Sequence, residues 1–561
     1  MQHYRRNYLI VGMAILFFIV AIMVSGWQMV NRTDGQFVYI VDDAYIHMSV
    51  SKNVIEHGVW GSNSTEFSFV TSSLIYPILV SAVFLVTGTG NIWIPLLLNI
   101  LAGVGVLYST YDALVRLNID NRISLLALIM LIIAVPLPLL TFMGMEHIFH
   151  VWFFILMLYQ TAILANKERE SITVRDYGIL FLLAFLQTGI RYEGMFTIAC
   201  VAIVFILYWR LIPAILTIIG GAIPVGLFAA YSVSKGSLWL PNSVYLKGSV
   251  GSYDGIGDFL TILRPDVVIL NTLESSVIWL MTILVVLAVI LSMSRWQERD
   301  TKGTSVTQII GFLQTPENAV VLLFIGSAIL HSRFVTAKFL RYEAYLIGGF
   351  IFISAWLICR ILSETKGAKR TVSLIALAGV FLIPSGYNFL IRTVTLTIIP
   401  DWSNEIYSQQ YQFAHMIAQE LPADSAILLN DIGTTGYFTE VYFVDLLGLA
   451  NIDVARARAE GLENRELTGR LIVENHATFA IIHNGIVGDL IPLDWIPVAT
   501  WSVPESVILF EDSITFYGSD TEQAAILLDA VKNYEAQLPD NVIVCYVDEA
   551  DCSAYLAPRQ E

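Results

Sequence analysis

Two adjacent carboxylates, Asp42 and Asp43, follow the first apolar stretch of the chain in "FVYIVDDAYIHMSVSKNVIEHGVWG", residues 37–61. Ionised carboxylates near a bilayer are costly unless they face water, and such residues tend to mark function. An ionised Asp beside a bound hydroxyl takes its proton as the oxygen attacks a carbon. A phosphate leaving group then calls for fixed cations to hold its charge. Later polar stretches supply them: Arg191 in "TGIRYEG", Lys247 in "LWLPNSVYLKGS", and Arg333, Lys338 and Arg341 in "HSRFVTAKFLRYEAY". Guanidinium grips phosphate through two parallel bonds, whereas Lys acts as a point charge.

The elements that must position these groups are mostly apolar. The 561 residues are 56% hydrophobic and only 14% charged, with a mean hydropathy of +0.68. A soluble chain of this length needs more charge to cover its surface, so an α-helical polytopic membrane protein is expected. The net charge of −16 is uneven: from residue 401 onward 26 acidic residues face 6 basic ones. We therefore expect a membrane body over residues 1–400 and an acidic soluble body over 401–561. That acidity excludes nucleic acid as a partner.

Arg5 and Arg6 precede the first apolar run, which reads as an uncleaved helix with its N-terminus in the cytoplasm. Further apolar segments fall near 71–88, 92–115, 123–142, 146–166, 177–191, 194–210, 211–231, 274–294, 318–331, 344–361 and 371–391. About 20 residues make a helical crossing, and about 11–13 crossings are expected. Basic connectors such as "RLNIDNR", "NKERESITVR" and "SETKGAKR" assign the alternate loops to the cytoplasm. The C-terminal body then lies outside the plasma membrane. Segment 71–88 breaks the parity of crossings unless it is re-entrant or dips only partway, or a segment boundary lies elsewhere.

After residue 400, "QQYQFAHMIAQELP" reads as a helix and "SAILLNDIGTTGYFTEVYFVDLLGL" as strand, Gly-rich turn, strand. With "ATFAIIHNG" and "NVIVCYV" as further strands, a small extracytoplasmic α/β domain is expected. Cys545 and Cys552 are close enough in sequence to form a short disulfide in an oxidising space.

Plainer explanations stand beside the chemical ones. Asp42 and Asp43 suit the N-terminus of a helix beginning near Tyr45. His47 and His57 lie ten residues apart and match no metal spacing. Glu146 suits pairing with His147, and Arg191 suits a local ion pair with Glu193. Lys247 and Arg341 suit ordinary snorkelling. Asp431 and Asp445 are best read as turn residues at strand ends. Trp239, beside the "LPNSVYLKG" stretch, suits sugar stacking.

In order along the chain, "DDAYIHMSVSKNVIEHGVW", "FMGMEHIFH", "LPNSVYLKG", "KFLRYEAYLIGG" and "DIGTTGYFTEVYFVDLLGL" resemble the GT-C glycosyltransferases. The likeness is to the branch of bacterial terminal arabinofuranosyltransferases, which draw sugars from polyprenyl-phosphate donors. It implies a GT-C-like bundle in which Asp42 or Asp43 is the catalytic base. It also implies a donor-phosphate site from Lys247, Arg341, Tyr342, Tyr245, Arg191 and Arg333. Glu146, His147, Glu193, Asn242 and Trp239 are the expected substrate contacts. "FVTSSLIYP" departs from the branch's usual Gly-Tyr-Thr-Ser-Pro-Leu-Trp, with the aromatic residue and proline displaced, so the resemblance does not fix the sugar.

The expected reaction is inverting transfer of a sugar, such as the pentose arabinofuranose, to a cell-envelope glycan, glycolipid or glycoprotein. No cofactor is required by the motifs, although Asp42 and Asp43 would suit a divalent cation. The rival expectation is a flippase or transporter of a lipid-linked sugar. Transporters place ionisable residues near the midplane in inverted repeats, a pattern this sequence lacks.

Overall fold

The computed structural model describes residues 7–247, 277–296, 314–335, 341–365, 394 and 397–547. The expected segment 371–391, Lys338 and Cys552 lie outside the described residues. Five described helices are long and apolar enough to cross a membrane: Tyr8–Arg32, Ile94–Arg116, His147–Asn166, Leu211–Ser234 and Ala344–Glu364. His147–Asn166 and Ala344–Glu364 are each 72% buried, whereas Tyr8–Arg32 and Leu211–Ser234 are 33% buried. The first two form the centre of the bundle and the other two its rim. Tyr8–Arg32 shows the rim's logic: Ile10, Ala14, Phe18 and Ile22 pack inward while Leu9, Met13, Leu16 and Trp27 are exposed. Apolar residues on both faces suit hydrocarbon as the outer solvent.

Ile75–Thr87 has 13 residues, about 20 Å of helix at 1.5 Å per residue, against a bilayer core of about 30 Å. It is too short for a straight crossing, as are Asn121–Ala134 and Gly194–Leu207 at 14 residues each. The expected span 123–142 is divided. Asn121–Ala134 ends before Pro136, and Leu137–Phe142 restarts as a short helix. Proline lacks the N–H that would continue the ladder.

The polar first loop is itself folded. Asp43–Glu56 is a helix whose Ile46 and Val50 join Trp60 and Val70 in one hydrophobic cluster with Ile427, Phe443, Phe479 and Trp501. The core of the C-terminal body therefore includes part of the first loop.

That body is built on a six-stranded mixed sheet ordered β2-β1-β3-β5-β4-β6. The strands are β1 Ala426–Leu429, β2 Tyr442–Asp445, β3 Phe479–Ile482, β4 Ile496–Ser502, β5 Ser513–Gly518 and β6 Ile543–Tyr546. β2, β1 and β3 are parallel; the remaining pairs are antiparallel. Alternate β1 residues enter different clusters: Ile427 and Leu429 face one, Ala426 and Leu428 the other. Such two-sided burial explains the uninterrupted apolar run. The expected Gly-rich turn is instead a short helix, Gly433–Phe438, because parallel strands need a crossover. Cys545 in β6 is disulfide-bonded, while Cys200 and Cys359 are free.

The two parts are tied by polar contacts. Asn63 Nδ2 donates to Phe443 O at 2.9 Å and Asn63 Oδ1 accepts from Phe443 N at 3.1 Å, so its amide extends the edge of β2. Lys52 pairs with Glu440 at 2.5 Å, and Tyr437 Oη donates to Thr89 O at 2.7 Å.

Candidate active site

Asp42 sits at the N-cap of the Asp43–Glu56 helix without capping it: its side chain makes no cap bond there. Instead its Oδ2 accepts from Gly433 N at 2.6 Å and its Oδ1 from Thr434 N at 2.8 Å. The donors are the first two residues of Gly433–Phe438, in the C-terminal body. Asp43 turns the other way and meets the Arg341 guanidinium. The adjacent pair is thus divided between a backbone cradle and a cation.

Both carboxylates line one cavity of about 570 Å³. Arg341, Tyr342, Gln410, Asn430, Asp431 and Arg458 provide its remaining polar wall. Its apolar wall includes Ile46, Leu246, Leu449 and the Val507–Phe510 loop. Backbone N–H groups of Val507 and Ile508 donate to Glu405 Oε2 at 2.8 and 2.7 Å, which fixes that loop. Asp42 keeps part of its surface open to the cavity but is enclosed by protein. Burial pushes its carboxyl up to about 7, with the Asp431 carboxylate as the next cause, against the two backbone bonds. Asp431 is pushed up to about 6, again by burial, against the 2.8 Å bond it accepts from Gln410 Nε2. Gln410 lies in a π-helical turn, Tyr407–Tyr411, inserted between two α-helical segments. Such insertions are frequent at functional sites.

Behind Arg341 lies a buried ionic network. Glu146 Oε1 meets Arg191 Nη1 at 2.5 Å and its Oε2 meets His47 Nε2 at 3.2 Å. Arg191 also forks onto Glu193, at 2.9 and 2.5 Å. The expected local pair of Arg191 with Glu193 is present, and Glu146 pairs with Arg191 and His47 rather than with the expected His147. His147 Nε2 is 3.4 Å from Arg191 Nη1. Gly144 creates the approach: its φ is +64° and a Cβ there would meet the Tyr39 ring at 2.7 Å. Only glycine takes that turn freely, and the turn delivers Met145 and Glu146 to the site. Arg341 and Arg191 lie 5.1 and 5.4 Å from the Tyr342 ring centroid, so both guanidinium groups contact this ring. A small cavity of about 30 Å³ touches Asp43, His47, Arg191, Arg341 and Tyr342 and joins the network to the main chamber's residues.

The remaining expected residues are less central. Asn242 is buried and donates to Leu449 O at 3.1 Å, holding a cavity wall. Tyr245 packs against the Phe69–Leu240 cluster. Lys247 ends the helix Asn242–Lys247; its side chain lies outside the described residues. Trp239 is 56% exposed, and neither it nor Arg333 lines either cavity. Asp445 has the expected turn role, accepting from Leu447 N and Ala450 N at 2.8 and 2.7 Å. Asp431, by contrast, faces the chamber. Sequence reasoning missed Gln410, Asn430 and Arg458 there, and no local motif marks them.

Asp42 accepts two backbone N–H groups and Asp43 pairs with Arg341, so a divalent cation on this pair would have to displace that guanidinium. Among the described residues, Glu56, His57 and Glu440 have spacing for an ion, but they are exposed and line neither cavity.

Residues 404–521 match a family described as a domain of unknown function, DUF8728. No curated protein matches the sequence. The crystal structure of ArnT from Cupriavidus metallidurans bound to undecaprenyl phosphate is similar with a TM-score of 0.50 at 14% identity, covering 91% of this chain and 99% of that one. Its apo state gives 0.50 at 12% identity, covering 92% and 98%. The apo oligosaccharyltransferase from Archaeoglobus fulgidus gives 0.48 at 11% identity, covering 96% and 75%. At these identities the likeness is one of architecture: the chain has the fold of the GT-C membrane enzymes, with a small C-terminal sheet body.

Proposed function

We propose that the protein is an integral plasma-membrane glycosyltransferase that moves a sugar from a polyprenyl-phosphate donor to an extracytoplasmic glycan, glycolipid or glycoprotein. The observation that carries this reading is the single cavity shared by Asp42, Asp43, Asp431 and Arg341. Undecaprenyl phosphate, bound by the structural neighbour ArnT, supports a lipid-linked donor. The N-terminus is cytoplasmic and residues 401–561 form the outer body in this reading. The disulfide at Cys545 and the basic connectors support that orientation.

In the reaction, Arg341 holds the donor phosphate and Lys247 is the second cation the resemblance assigns to it, while Arg191, paired with Glu146 and Glu193, supports the site from behind. The acceptor O–H attacks the anomeric carbon, Asp42 accepts its proton, and the bond from that carbon to the phosphate oxygen breaks. Polyprenyl phosphate leaves with the electron pair, on Arg341. Attack opposite the leaving group inverts the anomeric centre. Asp43, paired with Arg341, aims the guanidinium. A pentose such as arabinofuranose is the sugar the sequence resemblance favours.

Purified protein in vesicles, given a polyprenyl-phosphate donor labelled in the sugar, tests the proposal. Transfer to envelope acceptors is expected, and D42N and D43N together should reduce it by about 10³-fold or more while the protein stays folded. Full transfer by the double variant would overturn the mechanism. Movement of labelled lipid across the bilayer without transfer would favour the transporter instead.

A further inference from the structure

The first loop and the C-terminal body meet backbone to backbone at the candidate base. A Cβ built on Gly433 would lie 2.2 Å from Asp42 O and 2.6 Å from Asp42 Oδ2. The backbones can therefore come this close only because residue 433 has no side chain. That approach lets Gly433 N and Thr434 N each bond one oxygen of the same carboxylate, at 2.6 and 2.8 Å. Two separate donors fix both the rotation and the tilt of a carboxylate, which one bond cannot do.

The donors are themselves held. Thr434 Oγ1 donates to Gln410 O at 3.1 Å, tying the segment to the π-helical turn. The next strand, β2, is pinned by Asn63 through paired bonds to Phe443. Each oxygen of Asp42 retains a second lone pair, and the residue still lines the cavity.

We propose that Gly433 and Thr434 are positioning residues of the transferase: their backbone amides aim the Asp42 carboxylate, so the active site is incomplete without the C-terminal body. This inference rests on Asp42 being the base. It gives the C-terminal body a direct part in the chemical step, alongside any role in receiving the acceptor. The donor phosphate site around Arg341 does not depend on these amides. Chemistry and donor binding are therefore separable.

The experiment is steady-state transfer by full-length G433A, with kcat normalised to the fraction of molecules that bind polyprenyl phosphate. A misaimed base costs about 100-fold in kcat, while KM for the donor changes by less than about threefold. Should G433A not fold, T434P against T434A carries the test. Proline removes the amide donor at a first-turn position where helices accept it, and alanine removes only the hydroxyl. T434P should then lose at least about tenfold more kcat than T434A. Normalised kcat at the wild-type level in G433A, or equal loss in T434P and T434A, would overturn the inference. If D42N also transfers normally, the functional reading fails as well; if D42N is inactive, only the positioning role fails.

Discussion

Asp42 is a carboxylate under opposing influences: enclosure and the Asp431 charge raise its proton affinity, while two amides lower it. Raised in this way, its proton affinity suits the proposed role of general base near neutral pH. The sign of the pH dependence follows. On the proposed mechanism, transfer falls as pH drops and Asp42 takes up its proton, and rises as pH climbs and the carboxylate is freed. Removing the neighbouring negative charge by D431N lowers the proton affinity of Asp42, so the rising limb of the pH–rate profile should move to lower pH. Transfer rates of wild type and D431N between pH 5 and 8 check this, and an unshifted limb would contradict it. That Asp42 and Asp43 would face a cavity was legible in the sequence because paired acids beside an apolar run are costly unless they face water. Asp431 was not: an Asp at a strand end is ordinarily a turn residue, as Asp445 is here.

Single elements decide which charged residues are structural. The Gly144 turn and the start of the His147–Asn166 helix bring Glu146 against Arg191, and both are almost wholly buried. Removing one partner of such a pair leaves an uncompensated charge, at a cost of about 3–5 kcal/mol. R191M should therefore lower thermal stability in detergent markedly. R341Q should keep most of its stability, since the Asp43 partner is part-exposed, yet lose polyprenyl-phosphate binding. Thermal unfolding alongside a lipid-binding assay separates them; equal stability of R191M and wild type would rule out the structural role. Helix positions were largely readable from apolar length. The break at Pro136 was blurred because the flanking residues remain apolar. β4 escaped notice because Pro497 interrupts its pattern, and the strand accommodates it with a register shift before Ala499.

Across the whole molecule, charge balance divides the chain near residue 400, whereas the hydrophobic core crosses that boundary. Ile46, Val50, Trp60 and Val70 belong to the same cluster as the C-terminal sheet. Composition cannot reveal this, because docking depends on surfaces far apart in sequence. Asn63 illustrates the consequence. N63A removes two bonds to the edge of β2, each worth about 1 kcal/mol net, and should speed amide exchange at Phe443. Unchanged exchange there would show that the edge is held by packing alone. The chamber exists because loop, bundle and sheet close around it together. The most direct test of the central claim is a structure of the reconstituted protein with polyprenyl phosphate bound. The account predicts the phosphate within hydrogen-bonding distance of Arg341, in the cavity that Asp42 lines; a phosphate bound elsewhere, with that cavity unoccupied by the lipid, would contradict it.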